Sequence, residues 1–128
     1  MRSSLKIQSV VIAAQDLRLA GLIREYLTQT GYDAGCEVNL DAALERIMKE
    51  RIDLLIVDGE MPENVLSAFV QTVAGLKPDL PIVAVGVSER EKKGKSLSAF
   101  IDAFVEKPFS IYDISFTIQE LPARSSFD

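Results

Sequence analysis

The chain has 128 residues, a length typical of one compact domain, with 48% hydrophobic and 26% charged residues. This composition excludes a disordered or collagen-like chain and supplies enough apolar side chains for a core without disulfides. Its 19 acidic and 14 basic residues give a net charge of −5, so we expect no direct binding to nucleic acid or to anionic membranes.

Histidine and cysteine usage restricts both the chemistry and the cellular location. The chain contains no histidine, which excludes His-dependent acid–base catalysis and the most common transition-metal ligand. Its single cysteine, Cys36, cannot close an intramolecular disulfide, which favours a reducing compartment. The longest apolar runs, 10–14 and 54–57, are far shorter than the ~18 residues of a membrane helix. No signal peptide is predicted, so we expect a cytoplasmic protein.

Short apolar runs alternate with amphipathic stretches along the chain. The run 7–14 is rich in β-branched residues and predicts a buried strand. Asp16 stands where a helix N-cap is expected and Gly31 where a helix ends, so the segment between them predicts the first helix. A second strand at 32–38 and a second helix at 40–51 follow. The apolar stripes of these helices are Leu19, Leu22, Ile23, Tyr26 and Leu27 in the first, and Ala43, Leu44, Ile47 and Met48 in the second.

The second half of the chain continues this alternation. The apolar run 52–57 is typical of a central parallel strand covered on both faces, and it ends at Asp58. The later segments predict a helix at 64–76, a strand at 81–87, a more polar helix at 90–100, a strand at 102–106 and a helix from the cap Ser110 to Leu121. Expected buried positions are Leu66, Phe69, Val70 and Val73, then Ile111, Ile114, Ile118 and Leu121. Such strand–helix units predict a doubly wound α/β domain, a five-stranded parallel sheet flanked by five helices.

The carboxyl ends of the strands are where such sheets bind ligands. No glycine-rich phosphate loop follows the first strand, which argues against a dinucleotide or P-loop site. Asp58 ends the central strand and Lys107 follows the fifth. A carboxylate can attack a phosphoryl group, and an ammonium can bind the transferred oxygens. In α/β proteins at large, the more common interpretation is an aspartate that caps the next loop and forms a salt bridge with the lysine.

Three strings on these strands carry a family resemblance. IDLLIVDGEMP at 52–62, PIVAVGV at 81–87 and VEKPF at 105–109, in this order of elements, resemble the receiver domain of bacterial two-component response regulators. The resemblance covers about residues 6–121 of a single domain, with 122–128 as a tail or the start of a linker. It implies a flavodoxin-like sheet with strand order 2-1-3-4-5. It also implies a phosphorelay signalling domain that is no enzyme beyond its own phosphorylation and dephosphorylation.

The resemblance also implies partners and site residues. A histidine kinase or phosphotransfer protein would donate the phosphoryl group, and the face of the fourth predicted helix, fifth strand and fifth helix would mediate self-association or effector binding. On that face, Tyr112 and Phe116 share one flank of the last helix, with partial burial against the fourth helix as the alternative to an interface. The positional roles are Asp58 as phospho-acceptor, Lys107 as phosphate contact, Glu60 as a magnesium ligand and Phe104 as the aromatic switch position.

The chain departs from the family pattern at the magnesium ligands. The acidic pair expected after the first strand falls on Ala14 and Gln15, neither of which is charged. Asp16 follows one place later and could serve only if the strand end shifts register. Because an amide oxygen attracts a dication less than a carboxylate does, we expect Gln15, Asp58 and Glu60 to bind Mg²⁺ weakly.

A second departure concerns the hydroxyl residue after the fourth strand. Its position falls on Gly86, with Ser88 two residues further on as a substitute. The sequence therefore resembles an atypical, degenerate receiver with attenuated phosphorylation. One alternative is a pseudo-receiver, an interaction or dimerisation module that is never phosphorylated. Another is a flavodoxin-like enzyme or nucleotide binder, which the missing phosphate loop and absent histidine disfavour.

Overall fold

A single parallel sheet organises the computed structural model, which describes residues 6–87 and 99–121. The five strands lie in the order β2-β1-β3-β4-β5, which confirms the predicted order. Their bounds are β1 Ser9–Ala13, β2 Asp33–Glu37, β3 Leu54–Asp58, β4 Ile82–Val87 and β5 Ala103–Glu106. Every neighbouring pair is parallel, so all carboxyl ends meet at one edge of the sheet.

Four helices flank the sheet within these described ranges, where five were predicted for the whole chain. They are α1 Leu17–Gln29, α2 Leu40–Lys49, α3 Glu63–Leu76 and α4 Ile111–Glu120. The last of these, α4, corresponds to the fifth predicted helix. The predicted helix at 90–100 lies outside the described residues except for its end, and 99–100 form a turn.

The sheet separates two apolar layers. Buried side chains of α2 and α3 pack on one face and those of α1 and α4 on the other. Every residue of β3 is buried, as its continuous apolar run predicts for a central strand. The predicted buried positions of α3 are also confirmed: Leu66, Phe69, Val70 and Val73. No helix in the described part of the chain is long and apolar enough to cross a bilayer.

The helix boundaries follow from local capping chemistry. The Asp16 carboxylate accepts two backbone N–H groups of the first turn of α1, at 3.0 and 3.3 Å, as predicted for an N-cap. Gly31, just past the helix end, has a φ of 106°, a left-handed conformation that favours glycine. At α4 the backbone N–H of Ser110 donates to the Asp113 carboxylate at 2.8 Å, one half of a capping box.

Two residues of the predicted apolar stripes are exposed: Met48, which was expected to be buried, and Leu22. Met48 is 46% exposed, because α2 is buried through Ala43 and Ile47, and Met48 lies 100° further round the helix from Ile47. Leu22 is 62% exposed, because the buried stripe of α1 runs along the opposite side, through Ala20, Ile23 and Leu27.

Candidate functional site

Asp58 is the buried carboxylate at the carboxyl edge of the sheet. It is 6% exposed and is the only buried charged residue among those described. Its Oδ1 accepts the backbone N–H of Glu60 at 2.9 Å, while the N–H of Gly59 donates to the Val85 carbonyl at 2.8 Å. A Cβ at position 59 would collide with the Val87 side chain, so glycine permits this close passage between β3 and β4. The loop therefore holds the Asp58 carboxylate in place.

The electrostatic environment of Asp58 disfavours its ionised form. Burial raises the pKa of this carboxyl, and the negative charges of Glu60 and Asp16 raise it further. The backbone N–H groups of Glu60 and Asp16 oppose this and lower the pKa, but they do not cancel the effect. Asp58 is consequently a carboxylate that is harder to ionise than an exposed one.

Lys107 follows β5 at the same edge of the sheet, and its ion pair is with Glu60. Its backbone N–H donates to the Val87 carbonyl at 3.0 Å, which extends the pairing of β5 with β4. Its Nζ lies 3.2 Å from Oε2 of Glu60, and both side chains are partly exposed. The peptide bond from Lys107 to Pro108 is cis. Asp58 thus caps its own loop, as the common interpretation expects, while the lysine pairs with Glu60 rather than with Asp58.

The glycine that replaces the expected hydroxyl residue has a distinctive backbone. Gly86 has a φ of 87°, and the register of β4 against β5 shifts at this point, between Val85 and Val87. A Cβ built on Gly86 would lie 3.6 Å from Oε2 of Glu60. The Glu60 side chain therefore extends over the space that a side chain at 86 would enter. Ser88, the expected substitute, lies outside the described residues.

The donors at this edge fit a dedicated magnesium site poorly. Ala14 is buried and Gln15 is exposed, and neither carries a charge. Asp16 is engaged as the N-cap of α1 and still acts on Asp58 through its charge. Among residues 6–87 and 99–121 no group of three or more acidic, histidine or cysteine side chains is arranged to hold a metal ion. A hard cation prefers carboxylate oxygens and water, and here the Glu60 carboxylate is paired with Lys107 and the Asp16 carboxylate caps α1.

The aromatic residues expected at an interface divide into two groups. Phe104 of β5 is half-buried and packs against the apolar layer of α2 and α3. Tyr112 and Phe116 of α4 are 70% and 64% exposed. The Tyr112 ring lies edge-on to the ring of Tyr26 in α1, with centroids 5.7 Å apart and an interplanar angle of 88°.

These contacts define an exposed surface between α1 and α4. The sequence left open whether Tyr112 and Phe116 pack on the fourth predicted helix or form an interface, and most of that helix lies outside the described residues. The described ring contact of Tyr112 is with Tyr26 of α1. Leu22 and Ile111 line a shallow groove beside this ring pair. We call this surface the α1–α4 face, and its apolar members are Leu22, Tyr26, Ile111, Tyr112 and Phe116.

Sequence reasoning also missed the pairing of Lys107 with Glu60. It assigned Glu60 only the role of a magnesium ligand, whereas the structure gives its side chain an ion pair with Lys107. A partial signal existed, since an acidic residue two positions after one strand and a lysine after another lie at the same edge of a parallel sheet, although this does not determine that they pair.

Comparisons with known proteins match most of the chain. The family model of the response regulator receiver domain matches residues 10–119. The transcriptional regulatory protein RprY of Bacteroides fragilis is 28% identical over 118 residues, which cover 90% of this chain and 49% of RprY. The sensor kinase/phosphatase LuxN of Vibrio harveyi is 29% identical over 92 residues, which cover 70% of this chain and 11% of LuxN. The chain thus spans about half the length of RprY and a small part of LuxN.

Solved structures match the fold closely. The chemotaxis response regulator CheY4 of Vibrio cholerae superposes with a TM-score of 0.79 at 22% identity, covering 91% of this chain and 99% of CheY4. The response regulator TrrA of Thermotoga maritima, solved in complex with Mg²⁺-BeF, gives a TM-score of 0.78 at 21% identity and covers 89% of this chain and 98% of TrrA. At such identities these two likenesses show the fold.

Proposed function

The chain belongs to the family of response regulator receiver domains, and from that premise we propose that it accepts a phosphoryl group on Asp58 and transmits the signal by protein contact. The observation that supports this most strongly is the position of Asp58. It is a buried carboxylate at the end of the central strand, held by its own loop, at the edge where doubly wound sheets bind ligands. Receiver domains are in general signalling domains rather than enzymes.

The proposed chemistry is nucleophilic transfer to a carboxylate. A lone pair of an Asp58 oxygen forms a bond to the phosphorus, and the P–N bond of a phosphohistidine donor breaks. The electron pair of that bond stays with the imidazole nitrogen. Lys107, at the same edge, supplies a point charge for the phosphoryl oxygens once Glu60 releases it. We expect attenuated transfer because Gly86 offers no hydroxyl and because Ala14 and Gln15 carry no charge.

Incubation with a small phosphodonor tests this proposal. Acetyl phosphate should slowly add the mass of one phosphoryl group to the intact protein, and Asp58→Asn should abolish the addition. A phosphorylated Asp58→Asn variant would overturn the assignment of the acceptor.

The proposed partners follow from family membership and from the exposed surface. A histidine kinase or phosphotransfer protein would supply the phosphoryl group in the cytoplasm. The α1–α4 face would contact an effector or a second copy, because exposed aromatic side chains are common interface anchors. The net charge of −5 gives no support to direct nucleic-acid binding.

One observation favours a second candidate, a pseudo-receiver that acts without phosphorylation. The lysine is already paired with Glu60, and Ala14 and Gln15 stand in place of the acidic pair. The same mass measurement separates the two candidates, because a pseudo-receiver gains no phosphoryl group while its protein contacts persist.

A further inference from the structure

The Glu60 side chain extends from the loop after β3, past Gly86 of β4, to Lys107 after β5. Glu60 follows Asp58 by two residues at the end of β3, and the N–H of Glu60 is bound by the Asp58 carboxylate. Its Oε2 lies 3.6 Å from the point that a Cβ of Gly86 in β4 would occupy. The same oxygen reaches Nζ of Lys107, after β5, at 3.2 Å. The Glu60 carboxylate therefore contacts Lys107 and lies next to Gly86, on the loop that the Asp58 carboxylate caps.

We propose that Glu60 is a built-in competitor for the anion that Lys107 would bind. In the unphosphorylated protein its carboxylate holds the ammonium, and an incoming phosphate group must displace it. This inference deepens the function proposed for Asp58, on which the identity of the incoming phosphoryl group rests.

The chemistry of the pair supports displacement rather than a permanent lock. An ammonium is a point charge that binds a carboxylate oxygen or a phosphate oxygen equally well in geometric terms. Both side chains are about half exposed, at 45% for Lys107 and 56% for Glu60, so the pair is weakened by solvent. A phosphoryl group carries a charge of about −1.5 to −2, whereas the Glu60 carboxylate carries one negative charge, so the phosphoryl group attracts the lysine more strongly.

The surroundings of Glu60 explain why this chain accommodates the contact. With glycine at position 86, no side chain lies between Glu60 and Lys107 on the β4 side. The negative charge of Glu60 also faces Asp58 and contributes to its raised pKa. Glu60 thus opposes anion arrival in two ways, by holding the lysine and by adding negative charge beside the acceptor.

Glu60→Gln tests the proposal, since it keeps the size of the side chain and the backbone N–H that caps Asp58. Trace acetylation with acetic anhydride, read by peptide mass spectrometry without phosphodonor, reports how accessible Lys107 is. We expect labelling of Lys107 to rise about two- to fivefold, as for the loss of a surface ion pair. Inorganic phosphate should also protect Lys107 from labelling at a lower concentration in the variant than in the natural protein.

Glu45→Gln is the matched control. Glu45 pairs with Lys49 on the surface of α2 at 2.7 Å, far along the chain from the site. This variant should raise labelling of Lys49 and leave Lys107 labelling and its protection by phosphate unchanged.

The outcomes separate this inference from the proposed function. Unchanged Lys107 labelling or phosphate protection in Glu60→Gln, with a rise at Lys49 in Glu45→Gln, overturns the competitor role. If both Lys107 effects appear but acetyl phosphate modifies neither protein, the competitor role stands and the acceptor role of Asp58 fails. A faster phosphoryl gain in Glu60→Gln supports both.

Discussion

The two ends of the central strand β3 both carry an aspartate. One of them stabilises the fold through hydrogen bonds, and the other lies at the candidate site. Asp53, just before β3, accepts the backbone N–H groups of Gln8 and Ser9 at 3.0 and 2.9 Å, which ties the start of β3 to β1. Asp58, the last residue of β3, accepts the N–H of Glu60 in its own loop. The hydrogen bonds of the Asp53 carboxylate therefore stabilise the fold.

Only the carboxyl end of β3 combines a buried carboxylate with neighbouring charged side chains. Asp58 is more deeply buried than the half-buried Asp53, has a raised pKa, and lies beside the Glu60–Lys107 pair. Asp102 at the start of β5 repeats the structural pattern, because its carboxylate accepts the N–H of Ile82 at 2.8 Å. Accepting backbone N–H groups therefore does not distinguish a functional aspartate, whereas burial beside other charges at the carboxyl edge marks Asp58 as the candidate site.

The largest expected effect is that substitution of Asp58, but not of Asp53, abolishes phosphorylation. Asp58→Asn removes the nucleophilic oxygen anion and should abolish mass gain from acetyl phosphate. Asp53→Asn should gain phosphate at the natural rate, since its side chain only caps the backbone. Equal loss in both variants would show that the contrast between the two ends is one of folding, not of chemistry.

Truncation of the exposed aromatic rings should affect association more than folding. Tyr112→Ala combined with Phe116→Ala should weaken self-association or partner capture by about 2 kcal/mol per ring, because interface aromatics bury large areas. Sedimentation analysis over a concentration series gives the association, and thermal melting gives the stability. Met48→Ala, an exposed apolar residue on α2, is the control. A large fall in melting temperature with unchanged association would assign the rings to the core.

Asp53→Ala should destabilise the fold, whereas Asp58→Ala should do so less. The first leaves two backbone N–H groups of the β1 start without their acceptor, at a cost of about 1–3 kcal/mol. The second also removes a buried charge whose desolvation already opposes folding. Urea denaturation measures both free energies of unfolding. A greater loss in Asp58→Ala would reverse the assignment of structural and chemical roles.

Restoring the acidic pair should tighten magnesium binding at the carboxyl end. The register places Ala13 beside Val57, so Ala14 is one residue further along, next to Asp58. Ala14→Asp with Gln15→Asp should improve Mg²⁺ affinity tenfold or more, with about 1.4 kcal/mol per tenfold, at some loss of metal-free stability. Titration calorimetry on both proteins measures the change. Tight binding by the natural chain, or no gain in the double variant, would refute the alignment of β1.

The smallest expected effect is on the pH dependence of stability. The folded-state pKa of Asp58 lies above its ordinary value of 3.8, so the folded protein holds this proton more tightly than the unfolded chain does. Below 3.8 the carboxyl is protonated in both states, and its ionisation costs stability as the pH rises through that value and through the raised pKa. Asp58→Asn never ionises, so its stability relative to the natural protein should increase over this window and then level off. A difference independent of pH would contradict the raised pKa.

The elements of this chain could be predicted from local signals because those signals are strong. The alternation of apolar runs and amphipathic stretches predicted the sheet, and the caps at Asp16 and Gly31 predicted the bounds of α1. The burial of individual residues was predicted wrongly where an apolar residue lies at the edge of the apolar face of a helix. Met48 and Leu22 satisfy the apolar spacing, but whether a marginal position is covered depends on the neighbouring element.

The sequence predicted which residues form the site, but it did not predict which of their side chains contact each other. The sequence by itself determined that Asp58, Glu60, Gly86 and Lys107 gather at one edge, because parallel strands bring their carboxyl ends together. Only the tertiary structure decided that Lys107 pairs with Glu60, and that the Tyr112 ring packs on Tyr26 of α1. Such contacts depend on how far a side chain reaches across neighbouring strands and helices, and on the space that Gly86 leaves open. The spacing of residues along the chain determines which segments form helices and strands and in what order. Contacts between residues distant in sequence depend on how those elements pack.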